Sequence, residues 1–260
     1  MISLSDFQIN ALIGGFFWPF VRVMALLSVD PLFATRSLPN RVRVGFALLL
    51  TVLIVPILPP FPVVPLLSAH GFNVLLQQVL IGLAMGFVMR LVMTAIEIAG
   101  LIMSNQMGLG FAMVFDPIHS AQVPTLSRLL SLFTFLLFIT FDGHHVVLST
   151  LVESFSRMPV GQSVPHLTWR HLVEWGGNLF AWGVWLSLPI IAALTVSNIA
   201  IGVMSRASSQ LNIFSFGFSL TIGVGFVMFY LTLPLMVPVI EKIYRASFEF
   251  MLAMFTFSVK

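Results

Sequence analysis

Cysteine is absent from the 260 residues, and charge is scarce: Asp, Glu, Lys and Arg together make up 8% of the chain. The missing cysteine excludes disulfides, thiolate zinc sites, iron–sulfur clusters and a cysteine nucleophile. The scarce charge excludes an ordinary soluble enzyme, whose surface needs polar cover, and any disordered or nucleic-acid-binding module. A net charge of +3, from 12 basic against 9 acidic residues, makes no phosphate-binding patch. No HExxH, GxSxG, P-loop or dinucleotide fingerprint occurs, so no enzyme motif and no cofactor are expected. No Lys or Arg precedes Arg22, so the basic start of a cleavable signal peptide is missing and the first apolar run is expected to be retained. No lipidation signal is visible.

What is there is apolar. Hydrophobic residues make up 58%, and the mean hydropathy is +1.05. Six strongly apolar stretches can be drawn, about 7–29, 43–58, 72–104, 125–141, 175–203 and 211–240. They predict an all-α polytopic membrane protein of about six helical segments, since roughly 20 apolar residues span a bilayer. Ser5 or Asp6 is available as the first N-cap. The run Pro56–Pro65 holds five prolines and reads as an extended connector, because proline lacks the N–H and clashes with the preceding turn. Gly161–Pro165 breaks the chain again. Pro19, Pro189, Pro234 and Pro238 fall inside apolar runs and predict kinks. The tail from Glu241 to Lys260 reads as a mixed-charge, Phe-rich amphipathic helix. Arg36, Arg41 and Arg43 crowd the loop after the first segment, which places that loop in the cytoplasm and the N-terminus outside. Six crossings then put the loop holding Arg206 inside.

The run 72–104 carries a patterned face. At 100° per residue Gly82, Gly86, Arg90, Met93, Glu97, Gly100 and Ser104 fall within an arc of about 80°. Gly82 and Gly86 make a GxxxG pair that lets another backbone approach. Charges this deep in an apolar helix face protein or water rather than lipid. Two readings stand: a packing seam with Arg90 and Glu97 paired to neighbours, or an ion pathway in a proton-coupled carrier using Glu97. The two charges lie about 10 Å apart along the axis, too far for a mutual ion pair.

After Ser104 the chain reads Asn105-Gln106-Met107-Gly108-Leu109-Gly110-Phe111-Ala112-Met113-Val114-Phe115-Asp116-Pro117. Two glycines in three residues argue against continued helix, and Asp116-Pro117 opens a new one. Irregular backbone at membrane depth belongs where protein or a water-filled cavity surrounds it. The stretch reads either as a buried connector or as a deformable constriction of bulky Phe and flexible Met. Farther on, Asp142-Gly143-His144-His145 suggests a metal site, but adjacent helical histidines point about 100° apart and chelate poorly. No metal is therefore expected, and Asp142 reads as the cap of a short helix. His171 and Glu174, at i,i+3, read as a hydrogen bond on a helix face. The Met85, Met89, Met93 stripe reads as packing. Arg22, inside the first apolar run, is expected to pair inside the assembly or to snorkel.

From Gly100 through Gln106-Met107-Gly108-Leu109-Gly110-Phe111 to Asp116-Pro117 and Pro124, the chain resembles the FliR family. Its members are export-gate proteins of flagellar and related type III secretion systems. Leu137-Phe138 with Asp142-Gly143-His144-His145, Ser154-Phe155 and Pro159-Val160-Gly161 extend the resemblance. So do Phe33 with Pro39-Asn40-Arg41-Val42-Arg43, and Arg206 with Gln210-Leu211-Asn212-Ile213-Phe214. The resemblance implies a single membrane domain over residues 1–260, with N-terminal helices to about 165 and a FliQ-like hairpin plus tail over about 170–260. It implies a helical, pore-forming gate in the bacterial inner membrane at the flagellar basal body, its kinked segments packed as hairpins. FliP-like, FliQ-like and FlhB-like subunits are the implied partners, with unfolded exported proteins in transit, the lipid membrane around them and no nucleic acid. By the same likeness Met107, Gly108, Leu109, Gly110, Phe111, Met113 and Phe115 form a pore plug. Arg206, Gln210, Asn212 and Phe214 form a cytoplasmic turn. A virulence-type secretion homologue shares the pattern, and a proton-coupled carrier is the alternative from another class.

Overall fold

The computed structural model describes residues 6–35, 38–60, 63–66, 68–110, 125–207 and 213–255. Among them the helices are α1 (Asp6–Val29), α2 (Asn40–Ile54), α3 (Ala69–Gln106), α4 (Thr125–Thr140), α5 (Gly143–Arg157), α6 (His166–Gly176), α7 (Asn178–Ala207) and α8 (Ile213–Ala253). No strand occurs among the described residues. The chain is an all-α polytopic membrane protein. Asn40–Ile57, Ala69–Gln106, Leu167–Arg206 and Gly217–Ala253 are each long and apolar enough to cross a bilayer. The successive helices α4 and α5 qualify together as one broken span, and Ile13–Val29 of α1 is a shorter apolar helix. Each of the six sequence segments is thus largely helical among its described residues, but they are not six equivalent crossings.

Local chemistry explains where the helices start and stop. The extended connector begins one turn later than the proline run suggests, because Val55–Ile57 forms a 3-10 turn that takes in Pro56. Proline is tolerated in a first turn, where its missing N–H has no partner to lose. Beyond it the described residues 58–60 and 63–66 are not helical. Ser68 then caps α3: its hydroxyl accepts the Gly71 N–H at 2.9 Å and donates to the Pro65 carbonyl at 2.7 Å. Pro19, Pro189, Pro234 and Pro238 all lie inside continuous helices. The tail is not a separate amphipathic helix; residues 241–253 prolong α8, which runs for 41 residues.

Two compact units share the chain: residues 1–91, 142–176 and 245–260 form one, and 92–141 with 177–244 form the other. In the first, Trp18, Val23, Leu26 and Leu27 of α1, Ile81, Met85 and Met89 of α3, and Val147, Leu151 and Phe155 of α5 are buried. Its C-terminal strap is held by the Thr168 hydroxyl, which donates to the Met254 carbonyl at 2.9 Å, and by Trp175 stacked on Phe250 at 4.3 Å. In the second unit Ile96, Met103, Leu130, Phe138, Ile190, Leu194, Phe229 and Ile240 are buried. Tyr244 packs against Phe138 there, ring centroids 5.3 Å apart. By contrast Val173, Phe180, Val196, Ile199 and Val203, on α6 and α7, and Tyr230 and Leu235 of α8 are all more than 60% exposed. Water would not tolerate so much apolar surface, so these faces are made for lipid or for protein.

Candidate functional site

In the first unit the GxxxG pair brings α1 onto α3. A methyl group on Gly82 would collide with the Arg22 carbonyl and come within 2.7 Å of Ala25 Cβ. One on Gly86 would come within 2.8 Å of the Leu26 carbonyl and 3.1 Å of the Asp30 nitrogen. Only glycine allows backbones this close. The approach delivers Arg22, fully buried, to a set of neutral ligands. Its Nε donates to Gln78 Oε1 at 2.8 Å, Nη1 to Ser154 Oγ at 3.0 Å and Nη2 to the Met158 carbonyl at 2.9 Å. The guanidinium also lies 4.0 Å from the centre of the Phe155 ring. Arg22 therefore finds its partners within its own chain and does not snorkel. Gln78 and Ser154 were invisible as its partners, since nothing in the sequence joins residues 56 and 132 positions away.

Asp30, just beyond α1, is buried too. Its Oδ1 accepts the Leu32 N–H at 2.9 Å, an Asx turn that reverses the chain. Its Oδ2 is buried without a partner, and burial pushes this carboxyl up to about 6 against the pull of the Leu32 and Phe33 amides.

The seven-residue face of α3 is not uniform. Gly82, Gly86, Met93, Gly100 and Ser104 are buried, whereas Arg90 and Glu97 are exposed. The helical wheel explains the split: the buried five span about 40° of the arc and the two charges occupy its far edge, at about 60–80°. In the second unit Gly100 meets α4, where an added methyl would come within 2.5 Å of Ser127 Cα. One turn earlier, Glu97 accepts a hydrogen bond from Ser131 at 3.2 Å. The neighbours of α3 thus change along its length.

At its end α3 closes with a Schellman motif. Gly108 takes the left-handed conformation (φ 81°). Its N–H reaches the Asn105 carbonyl, and the Leu109 N–H reaches the Ser104 carbonyl, both at 3.0 Å. Met107 is fully buried, and a methyl on Gly225 of α8 would come within 2.5 Å of its Cγ. Gly110 follows within the same turn. Phe111, Met113 and Phe115 lie outside the described residues, as do Gln210 and Asn212. Arg206 is exposed in the last turn of α7, where a cation complements the helix dipole, and Phe214 lies in the first turn of α8.

Two readings of the polar motifs need correction. Asp142 stands at the N-cap position of α5 but makes no side-chain cap bond; instead it is left-handed, at φ 53°. The adjacent imidazoles of His144 and His145 do not diverge, their centroids being 4.2 Å apart. The 100° rule fixes where the Cα–Cβ bonds point, and rotation about the side-chain bonds still lets the two rings meet. His171 Nδ1 and Glu174 do meet, at 3.4 Å, beside the Arg170–Glu174 pair at 2.8 Å.

The comparisons agree with the sequence pattern over almost the whole chain. The profile of the family described as bacterial export proteins, family 1, matches residues 13–247. The flagellar biosynthetic protein FliR of Pectobacterium carotovorum is 38% identical over 251 residues, covering 96% of this chain and 95% of its own. The FliR of Escherichia coli K12 is 36% identical over 250 residues, covering 96% and 95%. That of Bacillus subtilis is 28% identical over 244 residues, covering 92% and 94%. With its helices, its glycine-capped α3 and a likeness that covers almost its whole length, this chain belongs to the FliR family of bacterial export proteins.

Proposed function

We propose that this membrane-embedded member of a flagellar export family is a pore-forming subunit of the export gate in the bacterial inner membrane. It helps to conduct unfolded flagellar proteins and to seal the channel when idle, in complex with FliP-like, FliQ-like and FlhB-like subunits. The observation that carries this reading is the near-full-length likeness to flagellar biosynthetic proteins. The apolar faces of α7 and α8 support a place among other apolar subunits. Met107 and the Gly108 cap anchor the start of the 107–115 segment, and Phe111, Met113 and Phe115 supply the bulk that obstructs the passage. Residues 1–260 act as one membrane domain, the 170–260 part as a hairpin whose cytoplasmic turn holds Arg206. Arg90 and Glu97, exposed on an otherwise apolar helix, face partner subunits.

Deletion of Gly110–Phe115, or Phe111→Ala, tests the plug. Membranes carrying the assembled mutant complex should leak ions through the closed gate, with assembly confirmed by co-purification. Wild-type conductance in a fully assembled mutant refutes the plug.

A further inference from the structure

We propose that Asp142, His144 and His145, where α4 gives way to α5, form a binding site for a divalent transition-metal ion. Each offers a ligand atom, and the three atoms lie within 4.8 Å of one another. A first-row ion holds nitrogen and oxygen ligands at about 2.0–2.2 Å, so its ligands stand about 3–4 Å apart. Binding requires rotations about the side-chain bonds to close the remaining gap. One carboxylate and two imidazoles suit Zn²⁺, Co²⁺ or Ni²⁺, rather than the all-oxygen shells of Mg²⁺ and Ca²⁺.

The backbone explains why these groups converge. Asp142 is the one non-glycine residue with positive φ among those described. Its carbonyl accepts the His145 and Val146 N–H groups, at 2.9 and 3.2 Å, which fixes the turn. The Cα–Cβ bonds of a helix tilt toward its N-terminus, so both rings lean back toward Asp142. The carboxylate takes no part in capping the helix, which leaves it for another cation. His144 Nδ1 is buried without a hydrogen-bond partner, a polar atom that an ion or its bound water satisfies. Asp142 and His145 are exposed while His144 is half-buried, so an ion can enter from one side. The positive end of the α5 dipole opposes a bound cation, and the single carboxylate offsets it. Water completes the coordination. The ion would tie Asp142 to the first turn of α5 and stiffen the junction.

The test uses the assembled membrane complex in detergent, purified by a tag without histidine and stripped with chelator. Titration with Co²⁺ alone, read by its visible ligand-field absorption, should show one more equivalent per copy of this chain than the same complex carrying His145→Ala. Asp142→Asn should weaken uptake roughly tenfold or more, and His171→Ala, outside the cluster, should leave it unchanged. His145→Gln replaces His145→Ala if the latter fails to assemble. A wild-type complex with no excess over an assembled His145 variant overturns the proposal, as does equal loss on His171→Ala.

Discussion

Replacing Gly82 by alanine tests whether the α1–α3 contact organises the first unit. The added methyl would meet the Arg22 carbonyl, Ala25 Cβ at 2.7 Å and the Leu26 nitrogen at 3.0 Å. Two of the three are backbone atoms, which cannot swing aside as the end of a flexible side chain does. Restoring ordinary contact needs the helices to part by about 1 Å, and overpacking of this kind costs about 1–3 kcal/mol. Parting them also pulls on the Arg22–Gln78 hydrogen bond, now 2.8 Å, because Gln78 lies one turn before Gly82 on α3. Bonds to a charged group contribute about 1.5–3 kcal/mol each, so partial loss brings the total to about 2–4 kcal/mol. Alanine is intrinsically better than glycine in a helix by up to about 1 kcal/mol, which sets the sign of the controls. At Gly45 and Gly223 an added methyl would meet nothing within 4 Å, so alanine there should be neutral or slightly stabilising. Thermal unfolding of the complex in detergent, followed by tryptophan fluorescence, should show Gly82→Ala melting several degrees lower than wild type and both controls level with it. If Gly82→Ala melts with the controls, the close contact does not organise this unit.

The Arg22 site predicts that Arg22→Lys and Arg22→Met cost similar amounts, roughly 2–4 kcal/mol, because three acceptors fan around a planar fork that neither side chain reproduces; a wild-type melting point for Arg22→Lys would show that charge alone suffices. Asp30 predicts a pH slope. Its folded carboxyl, raised from 3.8 to about 6, keeps a proton that the unfolded chain has lost. The stability present below about pH 4 is therefore lost as pH rises through 6, by roughly 2–3 kcal/mol, and then stays level. Asp30→Asn keeps the oxygen that accepts the Leu32 N–H and should flatten that slope; an unchanged melting-versus-pH profile would assign the slope to another group.

The sequence by itself settled the class of the molecule. In a membrane, helices and closed barrels satisfy every backbone N–H and C=O, and long continuous apolar runs, rather than alternating ones, leave the helix. Local signals placed the interruptions as well: Gly108 ends α3 because a left-handed residue is needed there, and beyond Ile57 the described residues of the proline-rich connector are not helical. The order of motifs from Phe33 to Phe214 carried the family. Spacing put seven residues of α3 on one face; burial within the chain covers five of them and leaves Arg90 and Glu97 exposed. Whether Arg90 is covered depends on which helix lies beside it, and no periodicity contains that information. Only the tertiary structure decided that Arg22 meets Gln78 and Ser154, that Met107 seats against Gly225, and that His144 and His145 converge. The first two join residues far apart in the chain, and the third depends on side-chain orientations that sequence spacing does not specify. Charge was scarce from the outset; where the few charges lie, buried among neutral ligands or exposed on apolar helices, is a property of the packing.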